Sequence, residues 1–251
     1  TLQNLYSLQK KHGVTSGSEL IAIQDVLETK VVSVDEFDAK IEKLRQSLDL
    51  YTEKLEVLAQ KLTDSRSKAA PILFDKITQI LALVGMQNAR FEFENIVSKD
   101  FLSTGKDQIQ LLLSANKGTS FGAIKKVASG GEMSRIMLAI KAIQSKYSKL
   151  PTIIFDEIDT GVSGEVANKM AEIMYDMSST MQVFVITHLP QVASKGDFHY
   201  KVSKSVVNDT TVSVLKLLSQ DERIEQIAEM ISGEHYTDSA ISHAKELLKI
   251  L

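Results

Sequence analysis

Hydrophobic residues recur every three or four positions through the first third of the chain, which is the spacing of one face of an α-helix. Between residues 34 and 62 the steps alternate strictly between three and four, as in the a and d positions of a coiled coil. The stripe consists of Val34, Phe37, Ile41, Leu44, Leu48, Tyr51, Leu55, Leu58 and Leu62. The pattern favours a long arm, although a helix of an ordinary bundle would carry a similar stripe.

The predicted limits of this arm helix come from local signals. Ser33 and Glu36 have the spacing of a capping box, so we predict that the helix begins there and spans residues 34–70. Pro71 lacks a backbone donor and crowds the preceding turn, so we predict a kink or break at that residue. Two shorter helices are predicted upstream, over residues 2–11 and 19–29.

The hydrophobic period changes after Gly85. Phe91 and Phe93 alternate with glutamates, which indicates a strand with one wet face. Downstream we predict strands at 108–114, 152–155, 182–186, 198–204 and 211–217, and helices at 131–147, 164–177, 222–231 and 238–250. Alternating helices and strands are typical of the α/β class with a parallel sheet, whose ligands bind at the carboxyl ends of the strands. We therefore predict a helical arm over residues 1–84 and an α/β lobe over residues 85–251.

Composition bears on which partners and sites are expected. The net charge of −3 gives no basic excess to indicate nucleic acid, and no apolar run is long enough for a membrane span. The absence of cysteine excludes a disulfide framework and thiolate zinc sites, which fits a cytoplasmic protein.

Two motifs indicate nucleotide chemistry. The apolar strand at 152–155 ends in Asp156 and Glu157, and Ser129-Gly130-Gly131 lies at the predicted start of a helix. In P-loop ATPases the first such carboxylate holds Mg²⁺ and the second polarises the attacking water. Amides at a helix start favour a phosphate. The phosphate-binding pattern G-x-x-x-x-G-K-[ST] is absent, so these 251 residues carry half of an ATPase site.

Each motif alone also has a structural explanation. Paired acids can simply end a strand, the glycines can cap a helix, and His188 can cap a helix or pack in a core. The ordered series of glycine turn, helix, Asp-Glu strand, helix and His-bearing strand has no economical structural explanation.

The motifs resemble those of the RecN family, bacterial double-strand-break repair proteins related to SMC proteins. The resemblance lies in residues 127–135 (VASGGEMSR), 151–165 (PTIIFDEIDTGVSGE) and 187–193 (THLPQVA). It implies the C-terminal lobe of an ABC-type ATPase head, preceded by a long coiled coil. Ala128 and Glu132 depart from the Leu-Ser-Gly-Gly-Gln of most ABC ATPases, and these departures are typical of RecN.

The resemblance also implies residue roles. Asp156 would hold Mg²⁺, and Glu157 would be the catalytic base or position the water. The signature residues Ser129, Gly130 and Gly131 would contact the γ-phosphate of ATP on a second head.

Two further roles follow from the same resemblance. Asp159 would belong to the D-loop, which crosses the interface between two heads. His188 would be the switch histidine that donates a hydrogen bond to the γ-phosphate.

The implied protein is a cytoplasmic, nucleoid-associated repair ATPase that uses ATP and Mg²⁺. Its implied partners are a second copy of the head, an N-terminal half with the P-loop, and DNA, and without the P-loop the chain alone would be inactive. An alternative is the energising subunit of a transporter, which the heptad helix disfavours. A structural tether with an inactive head is a third reading, against which the intact Asp156-Glu157 pair argues.

Overall fold

The N-terminal region is helical in the computed structural model, which describes residues 2–148, 150–162, 164–207 and 210–250. Helix α1 spans Leu2–His12, and α2 runs without interruption over the 67 residues Gly17–Leu83. The predicted helix start at residue 33 is therefore wrong, as is a break at Pro71, which lies inside α2. One proline removes a single ladder hydrogen bond, and the neighbouring turns of so long a helix keep theirs.

The capping box of α2 lies seventeen residues before the predicted one, at Ser16 and Glu19. The carboxylate of Glu19 accepts hydrogen bonds from the amides of Thr15 (2.8 Å) and Ser16 (3.0 Å), and the Glu19 amide donates to the Ser16 hydroxyl (3.3 Å). The side chains of Ser33 and Glu36 lie outside the described residues. Because both serine–glutamate pairs have the same spacing, the sequence pattern alone could not choose between them.

The chain divides into two compact units, residues 1–64 with 98–107 and residues 65–97 with 108–251. Residues 65–83 of α2 thus belong to the second unit. In the first unit the heptad stripe is exposed, as at Leu44 (61%) and Leu48 (65%). No helix in the described part of the chain is long and apolar enough to cross a membrane.

The strands and remaining helices follow the predicted order. The strands are β1 (Arg90–Leu102), β2 (Gly105–Ser114), β3 (Gly122–Ala123), β4 (Thr152–Asp156), β5 (Gln182–Ile186), β6 (Tyr200–Val207) and β7 (Thr210–Leu217). The helices are α3 (Ile124–Val127), α4 (Gly130–Ser145), α5 (Gly164–Ser178), α6 (Pro190–Ala193), α7 (Gln220–Ser232) and α8 (Asp238–Leu248). The short elements β3, α3 and α6 were not predicted, because so few residues carry no readable period.

Three sheets are formed by the described strands, in the orders β1-β2-β3, β4-β5 and β6-β7. The β4 and β5 strands are parallel, with Asp156 opposite Ile186, so the predicted parallel sheet and the α/β class are confirmed. The β6 and β7 strands, both predicted, pair antiparallel.

The main core of the second unit packs against one face of the β4–β5 sheet. Phe155 points into this core, and Ile153, Val183 and Val185 pack against it. The largest fully buried side chains of this core are Ile77, Leu81, Leu113, Ile136, Leu138 and Met170. Each buried side chain of this size contributes about 1.5–3 kcal/mol relative to exposure, so this core positions the strand ends rigidly.

Candidate nucleotide-binding site

The Ser129-Gly130-Gly131 turn begins α4 with a complete capping box. The Ser129 amide and hydroxyl both donate to Oε2 of Glu132 (2.8 Å each), and the Glu132 amide donates to the Ser129 hydroxyl oxygen (3.4 Å). These bonds, the backbone one foremost, hold the pKa of Glu132 below its ordinary value, and Arg135 adds a smaller attraction. Glu132 is therefore held in its ionised form, and its negative charge interacts favourably with the positive end of the α4 dipole.

Neither glycine of this turn is required by the fold. Gly130 and Gly131 are not among the residues with positive φ, so their backbone conformation suits other residues. A Cβ added at Gly130 would meet no atom within 4 Å, and one at Gly131 would lie 3.5 Å from the Thr160 carbonyl oxygen, an ordinary contact. By helix geometry their amides have no acceptor within α4. Two amides without an acceptor in their own helix suit the close approach of an anion.

Asp156 ends β4 on the uncovered face of the β4–β5 sheet. Its neighbours on this face are the apolar Ile154, Phe184 and Ile186, with exposures of 65%, 44% and 54%. Parallel sheets are normally covered on both faces, so an open apolar face beside an exposed carboxylate is unusual. The described residues contain no cluster of three or more His, Asp or Glu that could hold a metal ion.

Glu157 has φ of 46°, one of only two such values at non-glycine residues in the described chain. Its amide donates to the Ile186 carbonyl (3.0 Å), and its own carbonyl accepts from the Thr160 amide (3.2 Å) and hydroxyl (2.8 Å). Left-handed backbone costs a residue with a Cβ roughly 1 kcal/mol or more, and it persists where the surroundings impose it. The strained residue presents an exposed carboxylate directly beside Asp156.

Asp159 lies in the loop between β4 and α5, which we call the linking loop (residues 157–162). Its side chain is fully buried, and its Oδ2 accepts a hydrogen bond from the Thr187 hydroxyl. Its Oδ1 has no hydrogen-bond partner among the described residues. The carboxylate therefore points into the lobe; its predicted part in an interface between heads stays a prediction.

His188 follows β5 and is exposed. Thr187 and Leu189, its two neighbours, are joined by a hydrogen bond from the Leu189 amide to the Thr187 hydroxyl oxygen (2.9 Å). Sequence analysis did not identify Thr187, and a single threonine after a strand gives no signal of its own. Thr187 becomes notable only in the structure, where its hydroxyl donates to the buried Asp159.

The linking loop connects three of the predicted motifs. Glu157 is hydrogen-bonded to Ile186 at the end of β5, and Asp159 to Thr187, the residue before His188. The Thr160 carbonyl lies near the signature turn at Gly131. The Ser129 side chain forms hydrogen bonds with Glu132. The lobe thus presents a capped helix start, whose amides suit a phosphate, and the exposed Asp156, Glu157 and His188 at the ends of β4 and β5, where carboxylates suit a divalent cation.

The fold is similar to part of the head of SMC proteins. The chain is similar to a crystal structure of the Smc head domain with a coiled coil and joint from Pyrococcus yayanosii, with a TM-score of 0.59 and 18% identity over 85% of this chain and 39% of that one. It is also similar to the Pyrococcus furiosus Smc head domain with an extended coiled coil, with a TM-score of 0.51 and 18% identity over 92% of this chain and 55% of that one.

Within this class the chain resembles RecN, as its motifs predicted. It is 38% identical to the DNA repair protein RecN of Halalkalibacterium halodurans and 35% identical to that of Bacillus subtilis, over 99% of this chain in both cases. The Rickettsia felis protein is 42% identical over 90% of the chain. The chain spans about half the length of these relatives, 45%, 46% and 40% respectively, and corresponds to the C-terminal part of RecN. No family model matches the chain.

Proposed function

We propose that this chain is the C-terminal lobe of a RecN-like repair ATPase head that binds Mg²⁺-ATP between two heads. The observation that carries the proposal is the Ser129-Gly130-Gly131 turn, where glycine is required neither by backbone φ nor by packing. The remaining physical reason for two glycines at a capped helix start is the close approach of a ligand to the backbone.

Asp156 is the proposed Mg²⁺ ligand. Mg²⁺ in nucleotide sites is commonly held by one or two carboxylates together with substrate phosphates, and a single exposed aspartate fits that role. The open face around Ile154, Phe184 and Ile186 supports a second element of the proposal, an N-terminal half with the P-loop that covers this face. Without that half we expect the chain alone to be nearly inactive.

Glu157 and His188 are the proposed groups at the reacting phosphate. The bound Mg²⁺-ATP supplies the electrophilic γ-phosphate. Glu157, held beside Asp156 by its bond to Ile186, orients the attacking water as a carboxylate. His188, exposed at the end of β5, donates a hydrogen bond to developing charge.

The signature turn acts on nucleotide held by the other head. The lobe itself places the turn near the linking loop at Thr160. By helix geometry the amides of Gly130 and Gly131 have no acceptor within α4, so they are available to a ligand from outside the lobe. In this scheme the linking loop lies at the interface between two heads. The relatives are named DNA repair proteins, so we propose that ATP-controlled pairing of heads serves repair of DNA breaks in the cytoplasm.

The experiment that tests the proposal mixes two inactive proteins, each containing the P-loop half and this chain. One carries Ser129→Arg, which places a bulky cation in the turn, and the other lacks the P-loop lysine. A mixed dimer has one site with both changes and one with neither, so partial ATPase activity should return only on mixing. Mixed dimers that form and stay inactive, or loss of ATP binding by Ser129→Arg alone, would contradict the proposal.

A further inference from the structure

Positive charge is unevenly distributed along the chain. Residues 108–131 contain three lysines and no acidic residue, although the whole chain carries 32 acidic residues and 29 lysines and arginines. The three are Lys117, Lys125 and Lys126, all exposed and all in the second unit. A local excess of one charge creates a potential of its own, which the net charge of −3 conceals.

Helix α3 holds two of these lysines outward. Ile124 and Val127 pack against the main core, whereas Lys125 and Lys126 between them are exposed. A Cβ added at Gly122 would lie 2.7 Å from Cγ2 of Val127, so β3 and α3 fit this closely only with glycine there. The two ammonium groups are therefore carried by a short turn that is anchored to the lobe.

Arg90 and Lys117 meet at a shallow cleft of about 300 Å³, which Asn88 also lines. The Arg90 guanidinium lies over the Phe121 ring, 5.5 Å from its centroid, and donates a hydrogen bond to the Ser114 hydroxyl (3.4 Å). These contacts fix the guanidinium at the cleft. The cleft thus combines a positioned arginine with an exposed lysine, a pair that suits a phosphate group.

The cleft and α3 together form what we call the basic surface, consisting of Arg90, Lys117, Lys125 and Lys126. The Phe121 ring connects its two parts, since Arg90 stacks on the ring and Lys125 follows it by four residues. None of the three lysines forms an ion pair with an acid in the described part of the chain. The neighbouring acids along the chain are Glu92, on the same face of β1 as Arg90, and Glu132, which is engaged in the cap of α4.

We propose that the basic surface binds the phosphate backbone of DNA. This inference rests on the proposed function, which assigns the chain to DNA repair but gives DNA no place on the lobe. Separate, exposed cations suit the successive phosphates of a nucleic acid, whereas a single triphosphate is held by donors that converge on it. Such contacts position the backbone irrespective of base sequence. Lys126 lies three residues before Ser129, so the DNA lies close to the signature turn.

The first test measures binding of a short, fluorescently labelled DNA duplex to the 251-residue chain without nucleotide. The parent should bind with a Kd of about 10⁻⁴–10⁻⁶ M at physiological salt, and more tightly at low salt. The triple variant Lys117→Gln, Lys125→Gln and Lys126→Gln removes three phosphate contacts. Its slope of log affinity against log salt concentration should therefore be shallower by about 3, and its affinity at low salt should fall at least about tenfold.

The matched control replaces three exposed lysines elsewhere in the second unit with glutamine, namely Lys146, Lys204 and Lys245. The control changes the net charge equally, so it should keep an affinity and a salt slope close to those of the parent. Both triple variants should keep the parental Tm, because the replaced side chains are exposed. Equal losses in the two variants, a parental slope in the first, or no binding by the parent at low salt would overturn the proposal.

The second test locates DNA on the longer protein that contains the P-loop half. Lysines are acetylated with and without DNA, and the modification of each is measured by mass spectrometry. DNA should suppress most of the modification of Lys125 and Lys126 and leave that of Lys204 unchanged, whereas ATP alone should protect none of them. Protection by ATP alone would assign the surface to nucleotide and refute DNA as its partner. Neither test requires ATP hydrolysis, so a failed mixed-dimer experiment would refute the proposed ATPase site without deciding this inference.

Discussion

The two units of the chain use hydrophobic residues in opposite ways. In the first unit the stripe on α2 is exposed from Phe37 to Leu62, and α1 with the start of α2 borders an open apolar groove of about 790 Å³. In the second unit, side chains of the same types are fully buried, as at Leu81 and Leu138. The lobe therefore carries its own core, whereas the arm exposes an apolar stripe with the spacing of a coiled-coil seam.

The largest expected effect compares one leucine from each unit. Leu138→Ala should destabilise the second unit by about 2–5 kcal/mol, because it leaves a cavity in a packed core. Leu48→Ala on the exposed stripe should change the free energy of unfolding by no more than about 0.5 kcal/mol. Denaturant unfolding followed by circular dichroism measures both. Equal losses would show that the stripe is buried in solution and would erase the contrast between the units.

The same contrast shows what could be predicted from sequence. The arm helix, the parallel sheet and the order of α4, β4, α5 and β5 follow from periods of 3.6 and 2 that the structure respects. The start of α2 was misplaced because Ser33-Glu36 and Ser16-Glu19 have the same local pattern, and only the whole helix decides between them. A break at Pro71 was predicted for a similar reason, because the local cost of proline was weighed without the hydrogen bonds of the neighbouring turns.

The candidate site was predictable only in part. As their patterns indicated, the signature residues Ser129, Gly130 and Gly131 lie at a helix start, Asp156 ends β4, and His188 lies just after β5. Their functional roles remain predictions. The Asp159–Thr187 pair joins residues 28 positions apart, and neither residue has a period or motif that points to the other. Contacts of this kind are set by the tertiary fold.

A second, smaller effect concerns backbone strain at Glu157, in the lobe. Glu157→Gly removes the Cβ from a residue with φ of 46° and should stabilise the chain by up to about 1 kcal/mol. Glu157→Gln keeps the Cβ and should leave stability near the parental value. Both variants should be inactive in the longer protein if the carboxylate orients water. Thermal unfolding of each variant, compared with the parent, measures the change in stability. Destabilisation by Glu157→Gly would show that the backbone is not strained there.

The smallest effect distinguishes a half-buried histidine in the lobe from an exposed one in the arm. Burial lowers the pKa of His199 from 6.5, and the charges of Arg223 and Lys201 lower it further. The folded chain therefore binds this proton less readily than the unfolded chain, and stability present above pH 6.5 should decline as the pH falls from about 7 to 5.

The Tm measured against pH should show this decline in the parent and a flatter profile in His199→Gln. The matched control is His12→Gln, at an exposed position of α1, which should keep the parental slope. A His199→Gln profile as steep as the parent's would assign the acid sensitivity to other groups.

Gly130→Ala tests most directly whether a ligand, and not the fold, requires the glycine of the signature turn, since its effects on folding and on hydrolysis can be measured in parallel. The added Cβ meets no atom within 4 Å and the position lies at a helix start, so the Tm of the 251-residue chain should stay the same or rise. In the longer protein, ATP hydrolysis should fall by at least about tenfold, because the methyl group obstructs approach of the phosphate to the backbone amides. Full hydrolytic activity in Gly130→Ala, or a Tm well below that of the parent, would contradict the claim that a ligand requires this glycine and the fold does not.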